Sequence, residues 1–179
     1  RHKGLTLLVR DQESLDIVNK IGGIKCFLCP DMAHALWNDP NGLKPSNGGH
    51  GTLNFKRKDI EAISKVSSDS IDWKDVISIY ERILARICFK FIIHAPNRLF
   101  LKIAYKVWYI YLHHLLKICV RKFSKYETIN TDRLHGLIFG CLLTKQITYS
   151  DNSYGKLSRY ASMWLPSIVK QSHQNEVFQ

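Results

Sequence analysis

The sequence predicts an α/β protein, a Rossmann-like parallel sheet with helices on its faces. Two observations carry that expectation. Short apolar runs of strand length alternate with helix-length segments, in residues 5–37 and again in 126–165. The chain of 179 residues, 45% hydrophobic, is also long enough and apolar enough to bury a core of its own.

The elements follow in order. LTLLVR (5–10) is an apolar run that ends in Arg10 and reads as a buried strand. Asp11 can cap the next helix, whose Leu15, Val18 and Ile21 share one face, and Gly22 with Gly23 ends it. IKCFLCP (24–30) is a second buried strand, and Asp31 can cap a short helix, MAHALW. The stretch 38–51, NDPNGLKPSNGGHG, is rich in glycine, proline and asparagine. It is the strongest linker signal in the chain, and a domain boundary is expected there.

Beyond it, TLNFKRKD (52–59) is expected to be a strand and IEAISK a helix. A longer helix begins in IDWKDVISIYERILARICFKFII, capped by Ser70 or Asp72, and Pro96 interrupts it. The last third alternates again: YETINT as strand, DRLHGLIFGCLLTK as helix, QITYSD as strand, and NSYGKLSRYASMWL as helix. The tail KQSHQNEVFQ is expected to fray.

Residues 97–122 invite a membrane-spanning reading. The longest stretch without Lys or Arg, Val107–Leu116, is ten residues, against roughly 20 needed to span. An amphipathic helix explains the pattern better. Leu101, Ala104, Trp108, Tyr111, Leu115 and Ile118 recur on one face, while Arg98, Lys102, Lys106, His113, Lys117 and Arg121 share another. Such a helix packs on the domain with a solvated basic side, or lies on an anionic membrane.

The formal net charge is +11, and it implies anionic partners such as phosphate groups or an acidic membrane surface. Nucleic acid is not expected, because the basic face carries no recognisable reading motif. Five cysteines (26, 29, 88, 119 and 141) are scattered, and nothing completes a zinc site around Cys26 and Cys29. Buried thiols in a reducing compartment are expected, with no metal and no cofactor. No signal peptide is visible, and Arg1 leads almost at once into a strand. The natural N-terminus is therefore expected upstream.

Chemistry concentrates at two strand-to-helix turns. In TDRLHG (131–136), Thr131 or Asp132 can cap the helix, which puts Arg133 and His135 in its first turn. There the free N–H groups and the positive end of the helix dipole already favour an anion. Decorative basic charge is misplaced at such a turn, whereas an arginine fork beside free N–H groups suits phosphate or carboxylate. Gly136 and Gly140, four apart on an apolar helix, imply close packing on the sheet. SDNSYGK (150–156) repeats the arrangement, with Asn152 or Ser153 as cap and Lys156 in the first turns. Ligands of open α/β sheets bind beyond the carboxyl ends of strands. Arg10 marks a third such end. Arg133, His135, Asn152, Ser153 and Lys156, from the first two ends, are thus candidates for one cleft.

The pair TDRLHGLIFGCLL and DNSYGKLSRYASMWL resembles the C-terminal signature of the polysaccharide pyruvyl transferase family. The upstream pieces VRDQES, PDMAHAL, RKDIE and IDWKD agree in order. The resemblance implies a GT-B-like architecture of two Rossmann-like domains, with residues 1–45 ending the N-terminal one and 46–179 forming the C-terminal one. It implies transfer of the pyruvyl unit of phosphoenolpyruvate, as a ketal, onto hydroxyls of a surface polysaccharide or its lipid-linked precursor. It points to Arg133 and His135 as catalytic. Arg10, Asn152, Ser153 and Lys156 are substrate-binding candidates from strand-end geometry. The implied location is cytoplasmic, or peripheral at the inner face of the membrane. Two other readings stay open: a glycosyltransferase of the same architecture using a sugar nucleotide, and a non-catalytic domain that binds an anionic membrane or partner.

Overall fold

The computed structural model describes residues 4–37, 48–58, 68–151, 155–165 and 169–171. Two parallel sheets organise it. In the smaller, β1 (Thr6–Val9) leads through α1 (Gln12–Ile21) to β2 (Lys25–Leu28), which pairs with it in parallel. A short 3-10 helix, Met32–Trp37, follows. The larger sheet has the order β3 (Thr52–Phe55), β4 (Thr128–Thr131), β5 (Gln146–Tyr149), β6 (Val169–Gln171), parallel throughout. The crossover from β3 to β4 holds α2 (Trp73–Val76), α3 (Ile79–Ile93) and α4 (Arg98–Ser124). α5 (Leu134–Leu142) joins β4 to β5, and α6 (Lys156–Trp164) joins β5 to β6. A parallel order places the carboxyl ends of successive strands along one edge, which is where a site can be assembled.

Local chemistry explains the element ends. The Asp11 carboxylate accepts the Ser14 N–H at 2.8 Å and caps α1, while Gly22 stops it with φ +69°. Asp72, of the two residues expected to cap the next helix, is the cap, but the helix is not continuous. Asp72 and Asp75 form a capping box around a single turn, α2, which ends at Ile77 in an extended conformation. Ser78 then accepts the Glu81 N–H and starts α3 afresh. Two competing caps six residues apart split the expected helix. The expected helix IEAISK lies outside the described residues, as do residues 38–47 of the linker stretch. The tail does not fray from its start, because Val169–Gln171 adds a strand beside β5.

α5 is the centre of the core. Every residue of it except His135 is buried. Phe55, Ile129 and Ile147 of three neighbouring strands meet it from the sheet, and Phe123 of α4 packs in the same cluster. A Cβ on Gly136 would come within 2.7 Å of both Phe55 Cδ1 and Thr131 Oγ1, and one on Gly140 within 3.0 Å of Ile147 Cδ1. The two glycines therefore let the helix axis approach the sheet closely. The five thiols are free, and those of Cys88, Cys119 and Cys141 are buried. Burial pushes Cys141 up to about 12, which keeps it an inert thiol.

α4 keeps the expected two-sidedness. Ala104 and Tyr111 are buried, Leu101, Trp108, Leu115 and Ile118 half-buried, and Arg98, Lys102, Lys106, His113, Lys117 and Arg121 all exposed. Its first half packs on α3, where the Tyr111 hydroxyl donates to the Glu81 carbonyl at 2.6 Å. Its last turns carry Cys119 and Phe123 into the core. Among the described residues no helix is long and apolar enough to cross a membrane.

Gly136→Ala is expected to lower stability by about 1–3 kcal/mol, because overpacking outweighs the gain in helix propensity of about 1 kcal/mol. Chemical denaturation measures it, and an unchanged midpoint would show that the helix is free to move away.

Candidate active site

The carboxyl ends of β3, β4 and β5 lie side by side, so the residues that follow them become neighbours. After β3, Lys56 donates from Nζ to Ser150 Oγ beyond β5 at 2.7 Å. After β4, the Asp132 carboxylate accepts the Arg57 N–H at 2.9 Å. Burial holds the Lys56 ammonium below its ordinary value, and the nearby Asp132 charge opposes that only in part.

The TDRLHG turn differs by one residue from the expectation. Neither Thr131 nor Asp132 is the cap; Arg133 is, and its side chain makes no capping bond. The reason is the length of β4. The strand runs through Thr131, whose buried hydroxyl accepts the Arg133 N–H at 3.0 Å, and Asp132 is engaged by Arg57. Only His135 lies in the first turn. That turn carries no acidic residue, so the positive helix end is not neutralised from within.

Arg133 turns towards the long crossover, where its Nη2 donates to Asp72 Oδ2. Asp72 also accepts the Trp73 N–H at 2.8 Å and the Lys58 N–H at 3.4 Å. The two side chains are 20% and 6% exposed, so the pair is largely withdrawn from water. The His135 side chain, at 61%, is open. One turn thus presents a held guanidinium and an accessible imidazole.

His135 faces a second carboxylate. Its Nε2 lies 3.4 Å from Asp31 Oδ2, an oxygen that also accepts from Arg10 Nη1 at 3.2 Å. Asp31 is fixed by its backbone neighbours. Its Oδ1 accepts the Ala33 N–H at 3.1 Å, and its own N–H donates to the Tyr160 hydroxyl at 2.8 Å. Trp164 Nε1 donates to the Arg10 carbonyl at 2.8 Å, and Arg159 pairs with Glu13. These contacts tie the ends of β1 and β2 to α5 and α6, and so bring Arg10 to His135. Burial alone would raise the Asp31 carboxyl. The Ala33 N–H, His135 and Arg10 together outweigh it and hold that carboxyl below its ordinary value of 3.8.

Lys156 opens α6 and is exposed. The helix is capped from further back than expected: the Asp151 carboxylate accepts the Leu157 N–H at 3.0 Å and the Ser158 N–H at 2.8 Å. Asn152 and Ser153, the expected caps and substrate-binding residues, lie outside the described residues. The structure therefore brings together Arg10 and His135, with Arg133 on the same turn. Lys56 and Asp31 join them as candidates that residue type and spacing had not singled out. A lysine directly after a strand was the available signal for Lys56; nothing local marked Asp31 as more than a cap. Among the described residues no group of three or more His, Cys, Asp or Glu side chains is placed to hold a metal ion.

The profile of the polysaccharide pyruvyl transferase family matches residues 3–154. The chain belongs to that family. It is 36% identical over 148 residues to a Bacillus subtilis (strain 168) protein whose assigned name is pyruvyl transferase EpsO, an alignment that covers 79% of this chain and 44% of that relative. The chain spans less than half the length of this relative. No solved structure matches. Of the pyruvyl transferase signature, TDRLHG falls wholly within the matched residues and DNSYGK as far as Tyr154, which leaves Lys156 just beyond.

Asp31 contributes stability that is present above pH 3.8 and lost as pH falls through its lower folded value. Asp31→Asn is expected to reduce stability at pH 7 by about 1.5–3 kcal/mol and to flatten the acid limb of the stability curve. Denaturation midpoints between neutral and acid pH measure both effects, and parallel curves for the two proteins would refute the assignment.

Proposed function

We propose that the chain contributes the anion-binding half of a phosphoenolpyruvate-dependent pyruvyl transferase that acts on a surface polysaccharide or its lipid-linked precursor. The observation that carries this reading is the α5 turn. There a family member has Arg133 and His135 at a helix start whose first turn holds no acidic residue, beside a row of strand ends. The name of the Bacillus subtilis relative agrees with pyruvyl transfer.

Phosphoenolpyruvate carries a phosphate and a carboxylate. In the proposed reaction one sugar hydroxyl adds to C2 while C3 takes a proton. A second hydroxyl of the acceptor then displaces phosphate and closes the ketal; of the two hydroxyl protons released, one balances that taken by C3 and the other leaves with phosphate as hydrogen phosphate. Arg133, held in place by Asp72, fixes a guanidinium at the turn that receives the anion. His135, open and steadied by Asp31, hydrogen-bonds the phosphate or delivers a proton. Arg10, Asn152, Ser153, Lys156 and Lys56 are assigned to holding substrate charge. No cofactor is assigned beyond the donor. The two lobes of a GT-B-like architecture are assigned to residues 1–45 and 46–179, with the acceptor in the cleft between them.

Phosphate release from phosphoenolpyruvate by the full-length parent protein, with candidate acceptor glycans, is the test. His135→Ala is expected to slow it by about 10²–10⁴-fold with the fold intact. Arg133→Ala strands the buried Asp72 carboxylate and is expected to destabilise as well, so Arg133→Lys, which keeps the charge and loses the fork, is the cleaner variant. Wild-type rates in His135→Ala and Arg133→Lys would remove the site assignment. Thermal stabilisation by a nucleotide sugar, and none by phosphoenolpyruvate, would overturn the reading.

A further inference from the structure

α3 and α4 form an antiparallel hairpin whose turn is His94–Asn97. Only one side of each helix is used for packing. Around the turn the outer surfaces carry large apolar side chains in water: Phe91 is 65% exposed, Leu99 66% and Tyr109 63%, with Ile93, Phe100 and Ile103 also exposed. A soluble domain rarely leaves so many contiguous apolar groups uncovered. Near the turn the two helices part to form an open groove of about 660 Å³, walled by Ile87, Phe91, Phe100, Ile103 and Val107, with Lys90 at its side.

The charge around this surface selects an occupant. From Arg82 to Tyr126 there are ten Lys or Arg residues and no Asp or Glu. Arg86, Lys90, Arg98, Lys102 and Lys106 are all exposed beside the apolar groups. A second copy of the same face would bring like charges together, and a neutral protein core would leave those charges without partners. An anionic lipid surface answers both features, since acyl chains take the apolar side chains and headgroups take the cations. Exposed aromatics of the Tyr109 type suit the boundary between them. Neither α3 nor α4 is long and apolar enough to cross a membrane, so the hairpin's own contact is at the bilayer surface.

We infer that the turn of the α3–α4 hairpin is a membrane-docking element that inserts its apolar tip into anionic bilayers. The whole hairpin forms it, rather than residues 97–122 alone, because Phe91 and Lys90 of α3 complete the groove. It lies on the crossover between β3 and β4, away from the α5 turn, so its test reads sedimentation and is independent of turnover.

The test uses the full-length parent protein with vesicles of phosphatidylcholine alone and of phosphatidylcholine mixed with phosphatidylglycerol. Co-sedimentation is expected with the anionic vesicles, about tenfold or more above the neutral ones, and it should fall as salt screens the cations. Phe91→Ser with Phe100→Ser is expected to abolish it. Lys102→Glu with Lys106→Glu, at exposed positions, is expected to do so without touching the packed face. Protein that stays in the supernatant with anionic vesicles, or pellets equally with neutral ones, overturns the inference. So does a wild-type dimer by light scattering that the Phe91→Ser, Phe100→Ser variant converts to monomer, because the groove then belongs to a second copy.

Discussion

The close seating of α5 on the larger sheet governs the rest of the structure. A helix buried on all sides except one residue has its rotation fixed. Its position is set by two missing side chains, at Gly136 and Gly140, where any Cβ would meet Phe55, Thr131 or Ile147. Dense cores respond to such contacts as discrete arrangements and do not deform smoothly. Fixing that helix fixes its N-terminus, where the first turn holds His135 outside and the cap residue Arg133 meets Asp72. The geometry of the site is thus inherited from core packing.

Two carboxylates then decide what the basic residues do. Asp72 comes from the long crossover and Asp31 from the end of β2, and each also takes backbone N–H groups. A carboxylate anchored in this way is a rigid partner, so it orients the cation that it meets. For Arg133 the cost of withdrawing a guanidinium from water is offset by a partner already in place. For His135 the carboxylate is shared with Arg10 and the imidazole stays open to solvent. Arg133 and His135 stand two apart in the chain, yet the fold gives them different surroundings: one locked, one accessible.

Much of the fold was legible because it depends on local rules. The caps at Asp11 and Asp72, the stop at Gly22 and the apolar stripe of α4 follow from side-chain chemistry within a few residues. The reading failed where two local signals competed. Asp72 and Ser78 both start helices, and the continuous apolar periodicity across them hid the break. It failed also at the cap of α5, where strand pairing kept Thr131 extended and moved the helix start on by one residue. At α6, Asp151 accepts from N–H groups six and seven residues further on, a geometry that residue spacing alone does not predict.

The sequence by itself determined the alternation of strands and helices, the basic face of α4, and the family signature at TDRLHG. Each of these is a property of residue types at fixed spacing. The tertiary structure alone decided which charges meet. Arg133 and Asp72 are 61 residues apart in the chain, and Lys56 and Ser150 are 94 apart. They become neighbours because parallel pairing aligns strand ends that long crossovers separate. It also decided which apolar residues stay uncovered on the α3–α4 hairpin, since periodicity marks a face for packing but cannot say what, if anything, will cover the rest.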